Sequence, residues 1–60
     1  MKCKIEVDMD DAAFDNNTAA ELARVLRDMV EELLDYGIPS EPGSFRDTNG
    51  NRVGSLVIEE

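Results

Sequence analysis

The chain has no histidine and no tryptophan, a single cysteine, two prolines, and only six lysines and arginines among its 60 residues. Each shortage closes off a class of function. Without histidine, the commonest general base and the commonest nitrogen ligand for metals are both missing. A lone Cys3 permits no internal disulfide, which fits a reducing, cytosolic setting, and its place in an alternating segment marks it as a small buried hydrophobe on a strand rather than a reactive thiol. Phe14, Tyr36 and Phe45 are too few for a base-stacking platform, and the scarcity of cations argues against binding to phosphate backbones. No run approaches the ~20 apolar residues of a membrane span, and no signal peptide is visible. Gly37, Gly43, Gly50 and Gly54 form no phosphate-cradling pattern.

What the chain has in excess is acid. Fourteen aspartates and glutamates give a net charge of -8 and a pI near 4.2. Self-repulsion of this size destabilises a compact state, and a small domain has little stability to spare, so the negative field is expected to serve a purpose. Hydrophobic content of 42% argues against disorder and for a packed core. Residues 1–60 are expected to form a single domain, burying about 60% of the surface of the unfolded chain.

From Lys2 to Asp10 the pattern alternates. Cys3, Ile5, Val7 and Met9 fall on one face and Lys2, Lys4, Glu6, Asp8 and Asp10 on the other, as in a strand with one dry and one wet side. Asp11 to Asn17 is a loop pinned by Phe14. Thr18 with Glu21 makes a capping box for a helix that runs to about Tyr36 and is closed by a left-handed Gly37. Leu22, Val25, Leu26, Met29, Leu33 and Tyr36 supply its core stripe, widened by Val30 and Leu34. The helix is a rod of roughly 27 Å, long enough to cross a small sheet.

Residues 38–43, with both prolines, are expected to be a mobile loop. Asn49-Gly50 then signals a type I′ hairpin, in which both central residues need positive φ. Counting outward sets Asp47 opposite Arg52 as an ion pair, Arg46 opposite Val53, and Phe45 across the bare backbone of Gly54. Phe45, Leu56 and Ile58 would face the helix, and Val53 and Val57 the open side. The fold class is therefore α+β. Its order is strand–helix–strand–strand, with one helix on a three-stranded antiparallel sheet of order 2-3-1, the apolar third strand being central.

The chemistry of catalysis is poorly served. A paired-carboxylate hydrolase would need a cleft that sixty residues leave no room for. Asp8-Met9-Asp10-Asp11 invites a calcium loop, but Ala13 and Ala19 stand where an EF-hand needs glycine and glutamate. The expectation is a protein that is not an enzyme and has no cofactor and no metal site.

Two acidic patches follow from the topology. Asp8, Asp10 and Asp11 lie at the top of the first strand, with Asp15 after them. Glu31, Glu32 and Asp35 lie at the end of the helix, near Glu59 and Glu60, and Asp28 belongs to a heptad row with Glu21 and Asp35. Arg24 can bridge Glu21 and Asp28, and Arg27 can meet Glu31. Glu32 and Asp35 have no such partner and sit where the helix dipole is already negative, each unfavourable by a few tenths of a kcal/mol. A solubilising face does not explain that placement. Carboxylates on a rigid scaffold can stand in for phosphates in a lysine- and arginine-lined groove built for DNA.

The opening Met1-Lys2-Cys3-Lys4-Ile5-Glu6-Val7-Asp8-Met9-Asp10 with Ala12-Ala13-Phe14, the helical Glu21-Leu22-Ala23-Arg24-Val25-Leu26-Arg27 and the hairpin Arg46-Asp47-Thr48-Asn49-Gly50-Asn51-Arg52-Val53-Gly54 cover nearly the whole chain. In these segments the chain resembles small acidic anti-CRISPR proteins of phages and mobile elements, in particular inhibitors of the type I-C system that act as DNA mimics. The resemblance implies a partner: the basic DNA-binding groove of the large subunit of the surveillance complex, which reads the protospacer-adjacent motif. It also implies action in the cytoplasm of a bacterial host, with no direct binding to nucleic acid or membrane. The charged open face of the first strand favours a monomer. Two other readings stand beside this one. One is a homo-oligomeric structural or regulatory module using Val53, Val57, Val30 and Leu34. The other is mimicry aimed at a restriction enzyme or a repressor.

Overall fold

The two alternating segments at the chain ends pair with each other, which places the C-terminal strand in the middle of the sheet. The computed structural model describes all residues from Met1 to Glu60. It contains β1 (Lys2–Val7), a single 3-10 turn (Ala12–Phe14), helix α1 (Thr18–Tyr36), β2 (Gly43–Arg46) and β3 (Arg52–Glu59). The sheet order is β1-β3-β2, antiparallel throughout, as the sequence predicts. Register runs from Lys2 opposite Glu59 to Val7 opposite Gly54 on one side of β3, and Phe45 stands opposite Gly54 on the other.

Helix α1 lies on the sheet face that carries Phe45, Gly54 and Leu56. Its apolar stripe meets them in a core of Phe14, Val25, Met29, Phe45, Val53 and Leu56, fringed by Val7, Ala13, Leu22, Leu33 and Ile58. Gly54 is where helix and sheet come closest. A Cβ built there would stand 3.0 Å from Met29 Cε, 3.3 Å from Val25 Cγ1 and 3.4 Å from Phe45 Cβ. Phe45 therefore shares the space over Gly54 with the helix.

Several expectations are corrected. The first strand ends at Val7 rather than Asp10, because the Asp8 carboxylate turns to accept the Asp10 N–H at 3.0 Å and bends the chain away. Cys3 and Ile5 are on the helix side yet exposed, since α1 is drawn over β2 and β3 and leaves β1 uncovered except at Val7. Leu26 drops out of the core for the same reason, and Tyr36, in the last turn of α1 on the β2 side, is 81% exposed. Asn17, not Thr18, caps the helix by accepting the Ala20 N–H, while the Thr18 hydroxyl donates to the Phe14 carbonyl. Gly37 does end the helix at positive φ, but its ψ of -160° is extended rather than left-handed helical.

The hairpin differs most. Gly50 has φ +86° and no residue other than glycine has positive φ, so the type I′ turn is not formed. Instead the Gly50 N–H donates to the Asp47 carbonyl, and a left-handed glycine follows an ordinary turn. Arg46 then pairs with Arg52, leaving Val53 as the extra residue of a bulge. The bulge carries Val53 into the core, not onto the open face, whereas Val57, opposite Lys4, lies on the open face as expected and is half-buried. Asp47 is buried too, and its Oδ1 accepts the Asn51 N–H at 2.8 Å in place of an ion pair with Arg52. The Arg24 bridge to Glu21 and Asp28 is present, at 3.0 Å to each; the Arg27–Glu31 pair is absent.

An acidic groove between the helix and the second strand

Positions 28, 31, 32 and 35 occupy an arc of about 100° on a helix of 3.6 residues per turn, with neighbouring Cβ atoms about 5–6 Å apart. That arc faces β2. Asp28, Glu31, Glu32 and Asp35 accordingly line one wall of an open groove of about 430 Å³, and Ser44, Phe45 and Arg46 line the other. Arg24, Tyr36 and Asp47 complete it. Five carboxylates thus meet two guanidinium groups. One of these is already committed: Arg24 binds Glu21, Asp28 and the Arg46 carbonyl, the last at 2.8 Å. The Arg46 guanidinium donates to the Gly50 carbonyl at 2.8 Å.

The deeper acids have structural partners and the outer ones do not. Glu21 accepts from Arg24 and from both the N–H and the hydroxyl of Thr48. These bonds, that from Arg24 foremost, hold its carboxyl at about 2. Glu31, Glu32 and Asp35 take part in no ion pair, and no basic residue stands in the last turn of α1. Beyond Glu32 the groove meets a smaller apolar hollow of about 90 Å³ walled by Leu33, Tyr36, Pro39 and Phe45.

The second sequence-predicted patch is arranged differently. Asp11 caps the 3-10 turn through the Ala13 N–H and accepts the Asn51 side-chain N–H at 2.8 Å. Its carboxyl is held below the usual range, the Ala13 N–H being the largest cause. Asp8 bonds the loop backbone, and neither Asp8, Asp10 nor Asp11 lines a groove. Glu59, expected beside the helix end, pairs with Lys4 at 3.3 Å. The structure therefore gathers Asp28, Glu31, Glu32 and Asp35 into one concavity and leaves Asp8, Asp10 and Asp11 outside it.

Sequence reasoning missed Tyr36, Ser44, Arg46 and Asp47 as groove residues. The signal available for Tyr36 was an aromatic between Asp35 and the helix-ending Gly37, a position that core packing seldom reaches. No three His, Cys, Asp or Glu side chains converge to hold a metal ion, and no helix is long and apolar enough to cross a membrane. In comparison with known proteins, the chain matches no family model, no curated protein and no solved structure.

Proposed function

We propose that the protein is an anti-CRISPR inhibitor that acts as an acidic mimic of duplex DNA, without catalysis or cofactor. The observation that carries this is the row Asp28, Glu31, Glu32 and Asp35 along one open groove, three of its members unpaired at the helix end where the dipole opposes them. Selection for stability alone would put lysine there. A rigid, partly unneutralised carboxylate row offers a cationic groove what phosphates offer it, with release of counterions and a strong dependence on salt.

The target that agrees with the sequence resemblance is the large, motif-reading subunit of a type I-C surveillance complex in the host cytoplasm. Reading that short duplex element starts guide pairing, so its occlusion stops interference at the first step. Reversal of Glu31, Glu32 and Asp35 to lysine tests the proposal. Inhibition is expected to vanish while far-UV circular dichroism is unchanged; undiminished phage protection by a folded variant overturns it. A pull-down from cells carrying the complex, washed at stepped salt, separates the targets. Recovery of the DNA-reading subunit, lost at high salt, supports the type I-C assignment, and recovery of a restriction enzyme or repressor instead overturns it.

A further inference from the structure

We propose that the protein self-associates as a two-fold dimer through β1, with Ile5 of each copy opposite Ile5 of the other. The strand is an edge of the sheet. Asp8 donates its N–H to the Val53 carbonyl at 2.7 Å. By the alternation of an antiparallel ladder, Lys2, Lys4 and Glu6 then aim their backbone groups at β3, and Cys3, Ile5 and Val7 aim theirs at the open edge. A second β1 placed with Ile5 on the axis gives Ile5–Ile5, Cys3–Val7 and Val7–Cys3 pairs, each exchanging two backbone hydrogen bonds.

Charge selects the same register. The open face of this segment reads Lys2, Lys4, Glu6, Asp8: cationic in its first half, anionic in its second. With Ile5 on the axis, Lys4 stands opposite Glu6 twice over, and Lys2 comes opposite Asp8 just past the end of the strand. Moving the axis to Lys4 or Glu6 sets like charges face to face, and moving it to Cys3 or Val7 sets Lys2 against Lys4 or Glu6 against Asp8. Antiparallel strands are destabilised by such like pairs and favoured by unlike ones. The charge that argued for a monomer is thus self-complementary. Lys4 already bonds Glu59, but the two side chains are 66% and 48% exposed and the ammonium has further donors.

The apolar side of the strand also wants cover. Ile5 is 51% exposed. One flank of α1, through Glu21 and Asp28, turns to the hairpin and β2, so the opposite flank, Leu26 and Val30, lies on the side of the sheet where β1 is; these are 37% and 54% exposed. The accessible surface is 4495 Å², whereas a 6.7 kDa monomer is expected to show about 3,900 Å². The excess, about 600 Å², is about three quarters of the roughly 800 Å² that each partner contributes to a standard interface. Because β2 is the other edge, the dimer leaves both acidic grooves free, and this inference does not depend on their target.

Sedimentation equilibrium across a wide concentration range, with three charge variants, is the test. The wild-type chain is expected to dimerise reversibly. Lys4→Glu and Glu6→Lys should each weaken the dimer about tenfold or more by turning two unlike cross-strand pairs into like ones, and Lys4→Glu/Glu6→Lys together should restore it. Ile5→Cys in a Cys3→Ser background should oxidise to a covalent dimer, since hydrogen-bonded pairs lie about 5.5 Å apart at Cα, within disulfide reach. A wild-type monomer at every concentration, a double variant as weak as the single ones, or no cross-link at position 5 overturns the proposal.

Discussion

Glu21 and Thr48, 27 residues apart in the chain, are joined by two hydrogen bonds: the Thr48 N–H donates to Oε2 at 2.9 Å and its hydroxyl to Oε1 at 2.7 Å. Arg24, one turn along the helix, bonds the same carboxylate and then the Arg46 carbonyl. The first turns of α1 are in this way bolted to the hairpin, and the bolt sets how far α1 leans over β2. The lean decides the rest: it shapes the acidic groove on one side and bares β1 on the other.

The bolt makes stability depend on pH. The hydrogen bonds from Arg24 and Thr48 lower the Glu21 carboxyl from 4.5 to about 2. A carboxyl depressed by folding contributes stability that is present above its unfolded value and lost as pH falls through its folded value. Thermal midpoints should therefore decline between about pH 4.5 and about pH 2. Glu21→Gln should lower the midpoint at neutral pH and flatten that decline, both measurable by circular dichroism melts. An unchanged acid limb would mean that other carboxylates govern it.

Gly54 gives a second prediction, about packing. Ala at this position brings a methyl to 3.0 Å from Met29 Cε and 3.3 Å from Val25 Cγ1. The Met29 tip can swing aside, whereas Val25 is fully buried and stiff at χ1. Overpacking of this kind costs about 1–3 kcal/mol. Gly54→Ala should lose that much in urea unfolding, and a loss near zero would show that the helix can lift off without penalty.

The hairpin residues provide a third. Gly50 has φ +86° and Asn49 is not in the left-handed region, so the two should respond differently to alanine. Gly50→Ala should cost about 1–2 kcal/mol from the left-handed backbone alone, while Asn49→Ala should be close to neutral in backbone strain. Equal losses at both positions would restore the type I′ turn.

How much of this was legible in the sequence follows from the range of each interaction. Strand alternation, the helical stripe and the order of the strands are local or compositional, and they predict the sheet correctly down to Phe45 opposite Gly54. The bulge at Val53 and the burial of Asp47 are not local. They arise because Glu21 captures Thr48 and Asp47 captures the Asn51 N–H, which shifts the register of the last pair. Periodicity likewise cannot say which part of a sheet a single helix will cover, so Cys3, Ile5 and Leu26 are assigned to a core they do not reach; Tyr36, at the last position of the helix, misses it on the β2 side. For the site, the wrong-end placement of Glu32 and Asp35 is visible from spacing alone. The wall that β2 adds opposite them requires the tertiary fold.

The sharpest separation of function from stability lies at the end of α1. Glu32→Lys places a cation four residues after Asp28, and Asp35→Lys places one four residues after Glu31, the favourable orientation for helix ion pairs. Both substitutions also turn a charge that opposes the helix dipole into one that complements it. Together they should raise stability by about 1 kcal/mol, or roughly 4–8 °C in melting temperature for a domain this small. The same double variant replaces two of the groove's three unpaired anions and pairs the third, Glu31, so under the proposed function its competition with duplex DNA for a cationic partner should collapse. A protein whose acids served only to keep it dissolved would gain the stability and lose nothing in the competition assay. A protein that uses them as surrogate phosphates must become more stable and inactive at once, because the charges it would present to its partner are those the helix would be better without.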